Sequence, residues 1–343
     1  MSNNAVFQPD HDDFLRFTLA NPLACESQAY VLGRHTLYVE DTGILRIEPQ
    51  NPAPVSLVLS VGVHGNETGP IELVNNLIKD VLSQQLDVQV RLLVLIGNPV
   101  AANAGVRFTE VNMNRLFSGA WQQFDCPEAT RAARLEKAVT DFFNAAPSTH
   151  MKLHYDLHTA IRGSQYEKFA VYPFVHGNGY SQSQLGFLAA SGLDAILLSH
   201  QSTTTFSYYS YRQHGAHGFT LELGKVYPFG QNDLSRFSAI DTSLRQLMAS
   251  GALPQGELAA LKLFNVQAAL VKDAEDYRLH IGQEVKNFTA FDVGFCLASS
   301  AKSQYLVEAD GDAIIFPNAN LPIGQRAGLV VRPANASELD LID

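Results

Sequence analysis

Cysteine is scarce in this chain: Cys25, Cys126 and Cys296 are the only three among 343 residues. They are far apart, odd in number and form no C-x-x-C pair, so neither a disulfide framework nor a thiolate metal site is expected. Free thiols in a reducing cytosol fit better. Long apolar runs are lacking too. The longest, such as Val55 to Val63 and Leu92 to Ile96, fall far short of the ~20 residues that span a bilayer. The polar, acidic stretch Met1 to Asp13 lacks the apolar core of a signal peptide. Positive charge is in deficit: 24 Lys+Arg against 34 Asp+Glu leave a net charge of −10. That field repels phosphate backbones, which argues against a nucleic-acid partner. An anionic small molecule would need a local cluster of arginines. There are no internal repeats or low-complexity tracts. A soluble, cytoplasmic protein is expected.

What is present suffices for a packed core, with 46% hydrophobic residues and a length suited to one large domain or two unequal ones. Residues 11–20 read as a short amphipathic helix. Residues 29–32, 36–40 and 44–48 read as strands split by Gly33 and by Asp41-Thr42-Gly43, a hairpin signal. Val55 to Val63 is apolar on both faces, as a central strand covered on both sides requires. Pro70 opens a helical pattern to about Ser83, and Val90 to Ile96 is a second buried strand. Strand, helix, strand at this spacing is a βαβ unit of a layered α/β fold. Residues 100–126 look long and irregular, Pro127 to Asn144 helical, and Lys152 to His158 and Gly218 to Leu223 extended. Residues 255–270 mix helical and extended signals and receive no assignment. From about Val271, short β-rich runs (285–288, 304–308, 313–316, 328–332) alternate with Gly, Asp and Pro turns.

Three features carry chemistry. The first is His64-Gly-Asn-Glu67, directly after a buried strand, where Gly65 and Asn66 tolerate a tight turn. Imidazole nitrogen and carboxylate oxygen suit Zn²⁺. The second is Tyr155-Asp156-Leu157-His158, in which a strand projects Asp156 and His158 to one face. His158 is a candidate third ligand, with Asp156 an anion that orients its ring. His150 and His154 precede His158 at four-residue steps, but the alternation is that of a strand, so both read as structural or solvent-facing. The third is Thr220-Leu221-Glu222-Leu223-Gly224. Glu222 lies in an apolar strand without a neighbouring charge, so it is paired with an arginine, ligates a metal, or has a raised pKa and acts as a general base. Trp121, Cys126 and Tyr208 to Tyr211 read as packing or loop surface.

The strings VGVHGNETGP, NPVAANAGVRFTEVNMNRLF, YDLHTA and TLELGKV occur in this order over about residues 55–230. With them the chain resembles the aspartoacylase and succinylglutamate desuccinylase branch of the zinc carboxypeptidase superfamily. The resemblance implies a mixed, twisted sheet flanked by helices, with a catalytic domain at 1–250 and a smaller β-rich C-terminal domain at 251–343. It implies one zinc per chain held by His64, Glu67 and His158, with Glu222 as general base. Arg107 matches the family arginine that polarises the scissile carbonyl. Asn114 and Arg115 match the pair that grips the α-carboxylate of the amino acid. Arg212 falls where the aspartoacylase pattern has an arginine for a further substrate carboxylate. Such a cluster reconciles an acidic protein with an acidic substrate.

The activity implied is zinc-dependent hydrolysis of the amide bond of an N-acyl amino acid. N2-succinyl-L-glutamate is the leading substrate, which would make this the last step of arginine catabolism through succinylated intermediates. An aspartoacylase-like deacylase is the nearest alternative. A metallocarboxypeptidase, or a zinc- or carboxylate-binding protein without catalysis, fits less well, since a binding module has no need of Glu222.

Overall fold

The computed structural model describes residues 5–9, 11 and 13–343. Of the acidic N-terminal segment and the helix expected at 11–20, Met1 to Asn4, Asp10 and Asp12 thus lie outside the described residues. The helix itself is α1 (Phe14–Ala20), opened by the Asp13 side chain, which accepts from the Arg16 N–H at 2.8 Å. β1 (Gln28–Leu32), β2 (His35–Asp41) and β3 (Ile44–Pro49) form the expected meander, its second turn closed by Gly43 at φ 65°. β4 (Val55–Val61), α2 (Thr68–Leu82) and β5 (Arg91–Ile96) are the βαβ unit, with β4 and β5 parallel. Residues 100–126 carry more structure than their sequence suggested. α3 (Pro99–Ala104) is capped by Asn98 and ended by Gly105 in the left-handed region, and 3₁₀ turns follow at Met113–Arg115 and Ala120–Gln123. Short capped turns have no hydrophobic period, which hides them from periodicity.

α4 (Pro127–Asn144) is followed by β6 (Met151–Ala160), β7 (Phe169–Tyr172), β8 (Tyr180–Ser181), α5 (Gln182–Ala190) and β9 (Ala195–Leu198). α6 (Phe206–His214), β10 (His217–Lys225) and α7 (Ser238–Ser250) complete this part. The unassigned stretch at 255–270 is chiefly β11 (Lys262–Val271). Then come β12 (Arg278–Leu279), β13 (Thr289–Ala290), β14 (Cys296–Ser299), β15 (Gln304–Leu306), β16 (Ala313–Ile315), β17 (Arg326–Ala334) and β18 (Leu341–Ile342). The strand expected at 285–288 is a turn, with Phe288 at φ 64° and a single bridge from Asn287 to Ser164.

One mixed sheet of thirteen strands runs in the order β1-β2-β3-β5-β4-β6-β10-β7-β9-β11-β17-β16-β13. Its centre is parallel (β5, β4, β6 and β10). Alternation along the central strands makes two layers. Leu57, Leu59, Val61, Leu153, Tyr155 and Leu157 pack with α2, α5 and α7. Val58, Leu93 and Leu95 pack with α4 and with Phe206 of α6 on the other face. That second face also receives His154, Asp156 and His158, because even-numbered residues of β6 point there. The β-rich C-terminal segment is an extension of the same sheet: β11 pairs parallel with β9, and Phe169 and Leu197 share a core with Phe264, Phe288 and Ile315. β12, β14 and β15 form a separate small sheet there, and β18 pairs with β8 in a two-stranded one. No described helix is long and apolar enough to cross a membrane.

The turn that leaves β4 is packed against α3 without slack. A Cβ at Gly65 would stand 2.3 Å from Ala101 C and from Ala102 N, both backbone atoms. Gly65→Ala is therefore expected to destabilise the fold by about 1–3 kcal/mol, read as a lowered denaturant midpoint. An unchanged midpoint would mean that α3 yields freely.

Candidate active site

At the C-terminal ends of β4, β6 and β10 the chain gathers residues from three distant segments. His64 and Glu67 come from the turn between β4 and α2, where the Gly65 N–H donates to the Arg107 carbonyl at 3.0 Å. His158 comes from β6, and Glu222 stands beside it in register on β10. His64, Glu67, His158 and Glu222 are all buried.

Glu67 is the hub. Its Oε1 lies 2.8 Å from His64 Nδ1 and 2.6 Å from Arg107 Nη1. Its Oε2 lies 2.9 Å from His158 Nδ1 and accepts from the Thr159 N–H at 3.1 Å. Burial by itself would raise the Glu67 carboxyl, but the two imidazoles outweigh it and hold the group well below the usual range. Burial likewise works against a charged His158, yet Asp156 and Glu67 on either side of its ring raise it well above the ordinary value. His64 shows the opposite balance, since burial pushes it down to about 4.

One nitrogen of each imidazole faces Glu67 and the other is held from outside. His64 Nε2 donates to Asn112 Oδ1 at 2.9 Å, and His158 Nε2 donates to Asp156 Oδ2 at 2.8 Å. A ligand atom from each of His64, Glu67 and His158 lies within 4.8 Å of the others. His64 Nδ1, although near Glu67, makes no hydrogen bond among the described residues. A buried nitrogen of this kind, aimed at a shared centre with a carboxylate and a second imidazole, fits a divalent cation.

Glu222 faces the cluster with its Oε2 unpartnered among the described residues. Burial first, and the neighbouring Glu67 charge second, push its carboxyl up to about 7. It therefore exchanges a proton near neutral pH.

The arginines divide. Arg107 reaches the cluster directly. Arg115, on the adjacent 3₁₀ turn, is walled by protein yet open to solvent, as a cleft residue is. Burial lowers its pKa to about 9, aided by repulsion from Arg326 and Arg107. Asn114 is buried, and its Oδ1 accepts the Phe206 N–H at 3.0 Å, pinning the start of α6 beside Arg115. Arg212 is not brought in. It is exposed on the last turn of α6, at the end of the helix away from Asn114, near the start of β10 rather than the end that carries Glu222. A residue ten positions before Glu222 in a helix-strand connection lands at the strand's far end.

Sequence reasoning missed Asn112, which holds His64, although it lies within the quoted NMNR-containing string. It missed Arg326, the first residue of β17, which has no ion-pair partner among the described residues. It also read past Ser60 and Ser210, which bracket the buried His154 at 2.8 and 2.7 Å. Arg326 lies 211 positions from Arg115 in sequence, a separation at which only the fold creates proximity.

The model of the Succinylglutamate desuccinylase/Aspartoacylase catalytic domain matches residues 54–248, and that of the AstE/AspA barrel-sandwich hybrid domain matches residues 259–334. A curated relative from Shewanella denitrificans, named succinylglutamate desuccinylase, is 46% identical over 336 residues, covering 95% of this chain and 97% of its own length. The crystal structure of the succinylglutamate desuccinylase from Chromobacterium violaceum is similar at 40% identity and a TM-score of 0.84, covering 96% of this chain and 99% of that one. The corresponding structure from Vibrio parahaemolyticus is similar at 34% identity and a TM-score of 0.88, covering 96% of this chain and 97% of that one.

The raised Glu222 carboxyl has a signature in stability. A folded-state pKa of about 7, above an unfolded value near 4.5, favours folding below that lower pH and loses the contribution as pH rises to about 7. In metal-free protein, Glu222→Gln is expected to be more stable than wild type at pH 8 by roughly 1–3 kcal/mol, with a smaller gain at pH 5. Urea midpoints at the two pH values check this; equal gains at both would refute the raised pKa.

Proposed function

The chain belongs to the succinylglutamate desuccinylase/aspartoacylase family, and on that premise we propose that it is a zinc-dependent amidohydrolase that cleaves N2-succinyl-L-glutamate to succinate and L-glutamate. The observation that carries this reading is the pairing of the buried His64, Glu67 and His158 with an unpartnered, buried Glu222 whose carboxyl is pushed up to about 7. Two imidazoles and one carboxylate are a ligand set that suits zinc and leaves room for water.

His64, Glu67 and His158 would hold the ion, which when bound would supply Lewis acidity toward the scissile carbonyl and make water more acidic. Glu222 takes a proton from the attacking water at its free Oε2 and returns it to the departing amide nitrogen, so that it ends the cycle as it began. Arg107, 2.6 Å from Glu67 Oε1, stands beside the scissile carbonyl and stabilises the negative charge that develops on its oxygen.

The substrate has three carboxylates. Arg115, supported by Asn114, takes the α-carboxylate of the glutamate. Arg326 and Arg115 repel each other electrostatically and neither has a carboxylate partner among the described residues; a bound anion relieves that repulsion. Arg326 therefore replaces Arg212 as the residue for a further carboxylate. In this division residues 1–250 are the catalytic unit and 251–343 contribute to the mouth of the site. A cytoplasmic enzyme in the last step of arginine catabolism through succinylated intermediates is the setting that fits.

The decisive assay is succinate release from N-succinyl-glutamate before and after chelation, with N-acetyl-aspartate as the competing substrate. Activity is expected to vanish on chelation and to return with zinc. Glu222→Gln is expected to retain its zinc and to lose at least about 10²-fold in kcat; near-normal turnover would discard the general base. Arg326→Met is expected to raise KM for N-succinyl-glutamate by roughly 10-fold or more, while Arg212→Ala leaves it unchanged. The reverse pattern would restore Arg212.

A further inference from the structure

We propose that Ser60, His154 and Ser210 form a positioning relay that keeps a hydrogen on His158 Nε2, so that the ring presents Nδ1 to a metal ion. The inference rests on the metal-site reading above and extends it by three residues that touch neither metal nor substrate.

The relay is a single buried line of hydrogen bonds across three elements. Ser60 on β4 lies 2.5 Å from Asp156 Oδ1 and 2.8 Å from His154 Nε2. His154 Nδ1 lies 2.7 Å from Ser210 Oγ on α6. Asp156 Oδ2 faces His158 Nε2 at 2.8 Å. Ser60, His154, Asp156 and Ser210 have no measurable exposure, so bulk solvent does not compete for these bonds.

Donor counting then leaves one solution. A carboxylate only accepts, so Ser60 spends its one hydroxyl hydrogen on Asp156. Toward His154, the Ser60 oxygen can only accept, which requires the hydrogen of His154 on Nε2. A neutral imidazole has one N–H, and burial, which pushes His154 down to about 4, keeps it neutral. His154 Nδ1 is therefore bare and accepts from the Ser210 hydroxyl. Every hydrogen in the line points toward Asp156, an arrangement in which successive bonds polarise one another.

The result is an Asp156 carboxylate locked by Ser60 on one oxygen, leaving the other as an acceptor aimed at His158 Nε2. That keeps a hydrogen on His158 Nε2 and leaves Nδ1, the nitrogen 2.9 Å from Glu67, as the position a metal takes when it displaces the proton there. The Phe206 ring packs edge-on against His154 at 4.7 Å and 87°. Phe206 also begins the helix that carries Ser210 and is bonded to Asn114, which joins the relay to the wall of the substrate cleft.

Nitrogen-15 NMR of the imidazoles tests the donor order, and competition with a chromophoric chelator tests its effect on zinc. In wild type, His154 is expected as the Nε2–H tautomer in both metal-free and zinc-loaded protein. Ser60→Ala and His154→Leu are expected to weaken zinc binding by about 10- to 100-fold. His154→Gln, whose amide keeps a donor toward Ser60 and an acceptor toward Ser210, is expected to recover most of that loss. Thermal melts run alongside separate unfolding from a loss of positioning. An Nδ1–H tautomer at His154, or wild-type zinc affinity in the Leu variant, would overturn the relay alone. Equal weakening in the Leu and Gln variants would reduce His154 to a packing residue and overturn it likewise. Failure of wild type to bind zinc at all would overturn the metal reading and the relay together.

Discussion

Everything in the site turns on Glu67, a carboxylate almost wholly removed from water. A bare buried anion is too costly to persist, so the surrounding chain is arranged to answer it. Two imidazoles, the Arg107 guanidinium and the Thr159 N–H converge on its two oxygens. To bring them there, the turn after β4 must pass close against α3, β6 must run to Ala160, and the stretch after α3 must fold back under Gly65. Removing that charge leaves two buried imidazoles and an arginine without a reason to meet. Glu222, close enough to feel the same charge, is lifted toward neutrality by it as well as by burial, so one buried anion both gathers the imidazoles and raises the neighbouring carboxyl.

The same logic governs the polar side of the central strands. β6 places His154, Asp156 and His158 on a face covered by α6, where every donor needs an acceptor. The chain meets that demand with serines on β4 and α6. Packing and chemistry are therefore not separate layers here, since side chains that complete the interior also dictate how the site's histidines are held.

Much of this was legible in the linear order of residues. The buried strand ending in His64-Gly-Asn-Glu67, the alternation that sends Asp156 and His158 to one side, and the isolated Glu222 in an apolar strand all rest on local periodicity, which the backbone obeys. The layered α/β fold followed from the strand-helix-strand spacing and the β-rich C-terminal part from short runs between turns, while the resemblance added the mixed, twisted sheet. What escaped depends on contacts between segments remote in sequence. Arg212 was singled out by its match to the aspartoacylase pattern, but a match in linear position says nothing about which end of a strand a preceding helix approaches. Arg326 has no local signal, because its relevance comes from β17 standing near Arg115. His154 was read as structural or solvent-facing, and its bonds to Ser60 and Ser210 are visible only once β4 and α6 flank it. The short turns within residues 100–126 lack the repeat that betrays longer helices.

The continuity of the sheet from β9 into β11 and β17 carries a mechanical implication. Where two lobes meet through a flexible joint, a mouth can gape and shut as a hinge. Here backbone hydrogen bonds rivet the C-terminal strands to the scaffold that carries Glu222, pairing Lys262 with Ala195 through to Asn265 with Leu198. That pairing works as a ruler. A slip by one residue would turn each inward side chain outward and carry Arg326 out of range of Arg115, so the gauge of the cleft is written in strand alignment rather than in the pose of a movable lobe.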